Sequence, residues 1–405
     1  MKKLWTLGLE DIDGQQVDVS ELESPVEGVE AKLIEVQGLD ADIDAMASDG
    51  EELARDTDSL EATADVVADA AEDGGMDETA ARVVDVAVEH FCERWDIKRT
   101  KVATENFGSN RMQATKVALE SIGDAVKDAW NTFVTWLTEI LNKLKDWWLK
   151  YFNAGKAMKT RAEKLEDRLD SVGAQDKKEI GGGWVKDLYI DNILNPAGVI
   201  EHGNSAAKDI PVAIRALNTR LEDGKARLVS NTGKGAEVIE FGKKSQKKLD
   251  GMIPSGATDL SIQAVPGNGY LIQFTKDGIA ESRFQVFPVK DGAEKKVATP
   301  DVGVMKKACQ SVYKIGDALE ERLKDFRSVN DKMSELKDAV KKAAEAKENA
   351  KGDERSSKKL ALRQARAAVQ SALAARTCVT SSLKSAGAGL IGYVQAGISA
   401  HKKAA

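Results

Sequence analysis

Three cysteines, three histidines and seven prolines are all that 405 residues hold of the types that staple, ligate and kink a chain. Cys92, Cys309 and Cys378 are odd in number, far apart and outside any Cys-x-x-Cys pair, which excludes a disulfide framework and suits a reducing compartment. His90, His202 and His401 are scattered. His90 and Cys92 stand two residues apart, so a helix would point them different ways, and no second ligand pair follows. No metal or other cofactor is expected. No window of about 18 uninterrupted apolar residues exists, so no membrane span is evident. The opening "MKKLWTLGLEDIDG" turns acidic before an apolar core of useful length develops, unlike a secretory signal. A phosphate loop is missing too. In "SNTGKGAE" (230–237) the glycines stand one residue apart and no hydroxyl follows Lys234, while "GGG" at 181–183 reads as a hinge. Nothing here assembles a nucleophile, a base and a charge stabiliser, and carboxylates on a solvated arm cannot hold a catalytic geometry, so no enzyme is expected.

Acidic residues are unevenly absent. Residues 1–105 hold 29 Asp and Glu against 9 Lys and Arg, whereas residues 106–405 hold 37 against 50, so the first part carries −20 and the second +13. From Arg355 to the last residue there are nine Lys and Arg and no acidic residue. Arg355, Lys358, Lys359, Arg363, Arg366 and Arg376 are therefore candidates for phosphate contact. Ser and Ala separate them and no aromatics interleave, which suits sequence-blind binding of double-stranded DNA through counterion release better than base readout. The competing reading is a solvated helix face.

Scarce prolines, 5% aromatics and abundant Ala, Lys and Glu favour long helices. Residues 1–75 show only short apolar patterns such as "VEAKLIEVQGLDADI" and are expected to form weak helices at most, mobile when alone. From Asp77, a plausible N-cap, Val84, Val88, Phe91 and Trp95 share one helical face. "KVATENFGSN" (101–110) lies in an aperiodic stretch from Asp96 to Asn110. A helix beginning near Met112 then carries Leu119, Ile122, Val126, Trp130, Phe133, Leu137, Ile140, Leu144, Trp148 and Tyr151 at helical spacing over about ten turns. "RAEKLEDRL" continues as helix, and Asp209 and Pro211 read as the start of another. Between 255 and 300 "DLSIQAV", "YLIQFT" and "SRFQVFPV" alternate, a small antiparallel meander. Ala308, Val312, Ile315, Leu319, Phe326, Val329, Met333, Leu336 and Val340 mark one long seam, and Leu362, Val369, Leu373 and Val379 a second across "AKGDERSS". No repeat of fixed period stands out. The expected architecture is mainly α: long amphipathic helices, a C-terminal helical hairpin and an inserted meander. The expected units are an acidic, partly helical arm (1–105), a Trp-rich segment (106–172), a mixed region (173–254), the meander (255–302) and the hairpin with its basic tail (303–405).

Trp130, Phe133, Trp136, Leu137, Ile140, Leu144, Trp147 and Trp148 form a face too broad for one narrow seam, so it needs a core, a partner surface or a membrane. Lys143, Lys145 and Lys150 could meet headgroups, which keeps a membrane- or partner-binding effector as the alternative reading. Asp124, Asp128, Glu139 and Asp146 on the same stretch would repel anionic lipid and favour packing.

The run "ENFGSNRMQATKVALESIGDAVKDAW", with its Phe, Gly and Ser cluster, short basic lead and long helix containing Trp and Lys, resembles the region that opens the mature part of internal head proteins of large tailed bacteriophages. These are inner-body, capsid-and-scaffold type proteins. The resemblance covers about residues 1–155. It implies a structural protein made in the host bacterial cytoplasm and housed inside the capsid. It also implies an acidic propeptide that a prohead protease removes after a Glu preceded two positions earlier by a small residue. Ala103, Thr104 and Glu105, followed by Asn106, match that pattern at the charge break, although small-x-Glu, with Ser, Ala or Gly first, ends at 14 glutamates here, Glu61, Glu72, Glu89 and Glu120 among them. Other capsid or inner-body proteins, further copies of the chain and packaged DNA are the implied partners.

Overall fold

The computed structural model describes residues 26–98, 110–145, 147–230, 232–233, 235, 237–247, 249, 251–290, 293–348 and 352–403. Four helices form its first half: α1 (Val26–Glu72), α2 (Glu78–Arg94), α3 (Arg111–Leu144) and α4 (Trp147–Leu169). The starts of α2 and α3 follow from side chains that accept otherwise orphaned amides. Asp77 takes the Ala80 N–H at 2.8 Å and Asn110 the Gln113 N–H at 3.2 Å. Val88 and Phe91 are buried as their spacing predicts, with Val84 and Trp95 half-buried beside them. The ten-turn Trp-rich helix is two helices, since α3 ends at Leu144 and α4 begins at Trp147.

The expectation of weak helices before residue 75 is overturned, because α1 is a single helix of 47 residues. Its apolar positions repeat every seven residues. Val36, Ile43, Gly50, Thr57 and Ala64 form one row, and Leu39, Met46, Leu53, Leu60 and Val67 lie three residues further on. Eight of these ten are buried, and Leu39 and Met46 are partly so. A partner surface, not intrinsic propensity, sustains a helix this acidic.

Short strands punctuate the middle. β1 (Val172–Gln175), β2 (Glu179–Gly181), β3 (Tyr189–Ile190) and β4 (Ile193–Leu194) precede α5 (Pro196–Ser230). Asp209 and Pro211 therefore lie inside α5 and do not open it. The start is Asn195, whose carboxamide oxygen accepts the Gly198 N–H at 2.9 Å, with Pro196 at the first helical position. Pro211 removes one backbone donor, and buried Ile210, Ala213, Ile214 and Leu217 hold the helix on both sides of it.

The meander is as its alternation predicts. β5 (Lys243–Lys244), β6 (Thr258–Val265), β7 (Gly269–Lys276) and β8 (Ile279–Val286) form a four-stranded antiparallel sheet in that order. Asp277 and Gly278, both at positive φ, make the two-residue turn that pairs Lys276 with Ile279. Polar members of the alternation also point inward. Buried Gln263 and Gln273 both bond to the Ile239 backbone, and Gln263 also accepts the Phe241 N–H. β9 (Lys296–Ala298) pairs with β2, and β1 pairs with a final strand, β10 (His401–Lys403), while β3 pairs with β4.

The long C-terminal seam is shared by α6 (Val302–Glu321) and α7 (Phe326–Glu348), separated by one 3₁₀ turn at Leu323–Asp325. All nine seam residues are buried. α8 (Gly352–Ser399) packs on α7, as the expected hairpin requires, and also on α1, α4, α5, α6 and the sheet, so it runs through the centre of the fold. The fold is mainly α.

Two predictions follow from the packing. α4 and α6 cross at Gly155 and Gly316, where a Cβ on either residue would lie 2.6 Å from the other's carbonyl oxygen. Gly155→Val or Gly316→Val should destabilise the chain by about 1–3 kcal/mol in urea titrations. Gly123→Ala, whose Cβ would meet nothing within 4 Å, should not destabilise it. The His202 imidazole packs edge-on to Phe241 and contacts the Ser382 hydroxyl at 3.3 Å, and burial lowers its pKa to about 4. A neutral ring in the fold contributes stability that is fully present above the ordinary pKa of about 6.5 and is lost as pH falls through about 4. The urea midpoint should therefore drop across that window, and less steeply in His202→Gln.

Candidate functional site

The residues that carry the charge asymmetry face one another. α1 and α8 lie antiparallel, and their contacts keep a constant register. Asp40 pairs with Lys384 at 3.5 Å, Asp44 accepts the Thr377 hydroxyl at 2.9 Å, and the Gly50 carbonyl accepts from Gln370 at 3.4 Å. Asp58 takes both Arg363 at 2.9 Å and Arg366 at 2.7 Å, and Asp65 takes Lys359 at 2.8 Å. From Asp40 to Asp65 is about 37 Å of helix, at 1.5 Å per residue. The heptad explains the alignment. The acids that meet α8 all lie on one flank of the apolar rows, and the other flank meets different partners. There Asp42 pairs with Lys143 at 3.0 Å, Glu35 with Lys150 at 3.6 Å, and Asp56 with Arg94 at 2.9 Å.

Beneath the charges lies an apolar seam with two features of shape. The Trp136 indole fills a notch at Gly50, where any Cβ would overlap its ring, and its N–H donates to the Met46 carbonyl at 2.6 Å. Phe133 stacks on Trp136 with ring centroids 5.1 Å apart. Burying each large apolar side chain along α1 contributes about 1.5–3 kcal/mol, whereas an exposed ion pair contributes about 0–1. The seam therefore supplies most of the attraction, and the charges mainly fix direction and register.

Two polar groups go deeper. Glu61, 3% exposed, bonds to buried Lys347 of α7, accepts the Trp130 indole N–H at 3.4 Å and lies 3.8 Å from Lys359. Arg376, also 3% exposed, stacks over Trp147 at 4.8 Å. Its Nε and Nη1 have no hydrogen-bond partner among the described residues. Burial lowers its pKa, and the charges of Asp40, Tyr151 and Asp44 act against that shift. Tyr151 donates to Asp40, and burial pushes its hydroxyl pKa well above the ordinary value. Burial likewise raises the Asp44 carboxyl, with Thr377 opposing.

The six phosphate candidates thus divide. Lys359, Arg363 and Arg366 are held by arm carboxylates, and Arg376 is buried under the arm. Lys358 pairs with Glu354 on its own helix at 2.7 Å, and Arg355 is exposed at the rim of a cleft of about 640 Å³ between α1, α3, α7 and α8. Glu61 and Asp65 line that cleft beside Lys116, Lys347 and Lys359, so its walls are of mixed sign. Of the packing face, Trp130, Phe133, Trp136, Leu137, Ile140, Leu144 and Trp147 are buried within the chain. Trp148 is half-buried beneath the Arg327 guanidinium at 4.1 Å. That face is therefore occupied by the chain itself. No helix among the described residues is long and apolar enough to cross a membrane. Ala103, Thr104, Glu105 and Asn106 lie outside the described residues.

Among the described residues no cluster of His, Cys, Asp or Glu could hold a metal ion. All three cysteines are buried, and burial raises the Cys309 thiol to about 12. The sequence reading missed Asp40, Asp44, Asp58, Glu61 and Asp65 as one acidic row facing α8, and Lys347 as its buried anchor. The seven-residue repeat was the available signal, and Gly50 and Thr57 within it concealed it. Removing Lys347 leaves Glu61 buried with its main counter-charge gone. Lys347→Ala should cost about 3–5 kcal/mol in chemical denaturation, and Glu61→Leu combined with Lys347→Met should recover most of it.

No curated protein and no solved structure matches the chain. A family model described as phiKZ-like phage internal head proteins matches residues 34–401, starting within α1 and continuing across the charge break to β10. The chain belongs to that family of structural proteins of the phage head interior.

Proposed function

We propose that this chain is the precursor of an internal head protein. Its acidic arm is removed by a prohead protease cutting after Glu105, leaving a basic body among the packaged DNA. The observation that carries this reading is the α1–α8 pairing, in which the −20 segment covers the cations that would otherwise meet phosphates. In the uncut chain Lys359, Arg363 and Arg366 are already neutralised, so the precursor can assemble with capsid or inner-body proteins and further copies of itself before DNA enters. Cutting after Glu105 divides a chain of formal charge −7 into a −20 arm and a +13 body, residues 106–405 holding 50 cations and 37 anions. Weak contacts with many phosphates suffice where the duplex is concentrated.

Helical backbone argues against four of the other small-x-Glu triplets as the cut. Proteases require an extended, accessible strand. Glu61 and Glu72 belong to α1, Glu89 to α2 and Glu120 to α3. A cut between α2 and α3 is also the one that separates the two signs of charge.

Mass spectrometry and N-terminal sequencing of the protein from purified particles test this directly. The expected mature chain begins at Asn106, and Glu105→Gln should leave the full 405-residue chain in the particles. Normal processing of that variant would exclude the site, and uncut wild-type chain in mature particles would exclude the maturation scheme.

A further inference from the structure

Cutting the backbone between α2 and α3 breaks one covalent connection and none of the contacts that seat α1. Those contacts span the helix from Val36 to Val67, and the side chains at both ends are fully buried. They are also specific in shape: the Gly50 notch admits one indole, from Trp136, and the Met46 carbonyl receives its N–H. Val88 and Phe91 of α2 join the same core, and the Met76 N–H donates to the Thr115 hydroxyl of α3 at 2.7 Å. The groove on the body has an apolar floor on α3 that includes Trp136, and is walled on one side by Lys359, Arg363 and Lys384. Such a surface recognises an amphipathic helix with an apolar seven-residue repeat and a carboxylate flank. α1 has that composition, and it is the occupant seen.

We infer that the arm, once severed, stays bound to the body as a non-covalent helical ligand, so that cleavage makes the mask releasable without releasing it. This deepens the maturation reading and rests on it only for the cut taking place in the particle. Unmasking then becomes an equilibrium. The floor is apolar, and salt screens the flanking charges without weakening the seam. Raising the ionic strength alone therefore does not strip the arm. The groove keeps the chemistry of a helix-binding site and takes the same arm back when it is supplied again.

The test uses the full chain with a recognition sequence for an unrelated, sequence-specific protease placed within residues 99–109. After complete digestion, the pieces are passed over a size-exclusion column at about 0.15 M and at about 1 M salt. Co-elution of arm and body at both concentrations is expected, with separation only on adding denaturant. Separation in the absence of denaturant, whether the freed body stays soluble or precipitates, would overturn the inference. In the same cut chain Gly50→Leu, which fills the notch, should shorten the residence time of the arm by on the order of tenfold or more. An unchanged residence time would overturn the notch as the seat of the ligand. The engineered cut is independent of the phage protease. Arm loss here would leave the Glu105 assignment standing, and uncut chain in particles would leave the docking intact.

Discussion

The antiparallel pairing of α1 with α8 is the constraint on which the rest of the molecule depends. A helix carrying this many carboxylates has little reason to form alone, since like charges at neighbouring turns repel. Laid along α8, its acids meet Lys359, Arg363, Arg366 and Lys384, and its apolar rows meet the face of α3 and α4. The acidic arm and the basic body each need the other. Arg376 shows the dependence most sharply, because a guanidinium buried against Trp147 is tolerable only while Asp40 and Asp44 stand near it.

This gives the electrostatics a division of labour. Exposed ion pairs contribute little to stability. Their value here is that they are ordered along a helix in one direction, so a slipped register would place carboxylate against apolar seam. The buried Glu61–Lys347 pair fixes the register where α1, α7 and α8 meet. A protein of the head interior can use that arrangement twice. Under the proposed maturation, the covered state, nearly neutral along α8, is suited to protein contacts, and an uncovered, cationic state would be suited to phosphate.

How much of this was legible beforehand depended on how local the signal was. The charge break and the acid-free stretch after Arg355 are sums over sequence, and they marked an acidic and a basic segment without showing that the two touch. The seams through Val84 to Trp95 and Ala308 to Val340 were readable because one apolar residue per turn is enough to mark a buried face. α1 was misread because its repeat is built partly from Gly50, Thr57 and Ala64, residues chosen for the shape and polarity of the partner. Likewise Asp209 and Pro211 imitate a helix start, and only the packing around Ile210 and Ala213 shows that the helix continues through them. Burial of Arg366 and Arg376 was invisible for the same reason: a basic residue declares its charge in the sequence, while its counter-charge lies some 300 positions earlier in the chain.

The central claim is that arm carboxylates, by occupying the cations of the body, suppress its affinity for polyanions. The most direct measurement is fluorescence anisotropy with labelled double-stranded DNA across a salt series, using the uncut chain. The intact protein is compared with one carrying Asp42→Asn, Asp58→Asn and Asp65→Asn, substitutions that keep the apolar seam and remove the nearest carboxylate from Lys143, Arg363, Arg366 and Lys359. The account predicts tighter binding and a steeper dependence of log K on log salt in the substituted chain. Equal affinity and equal slope would contradict it.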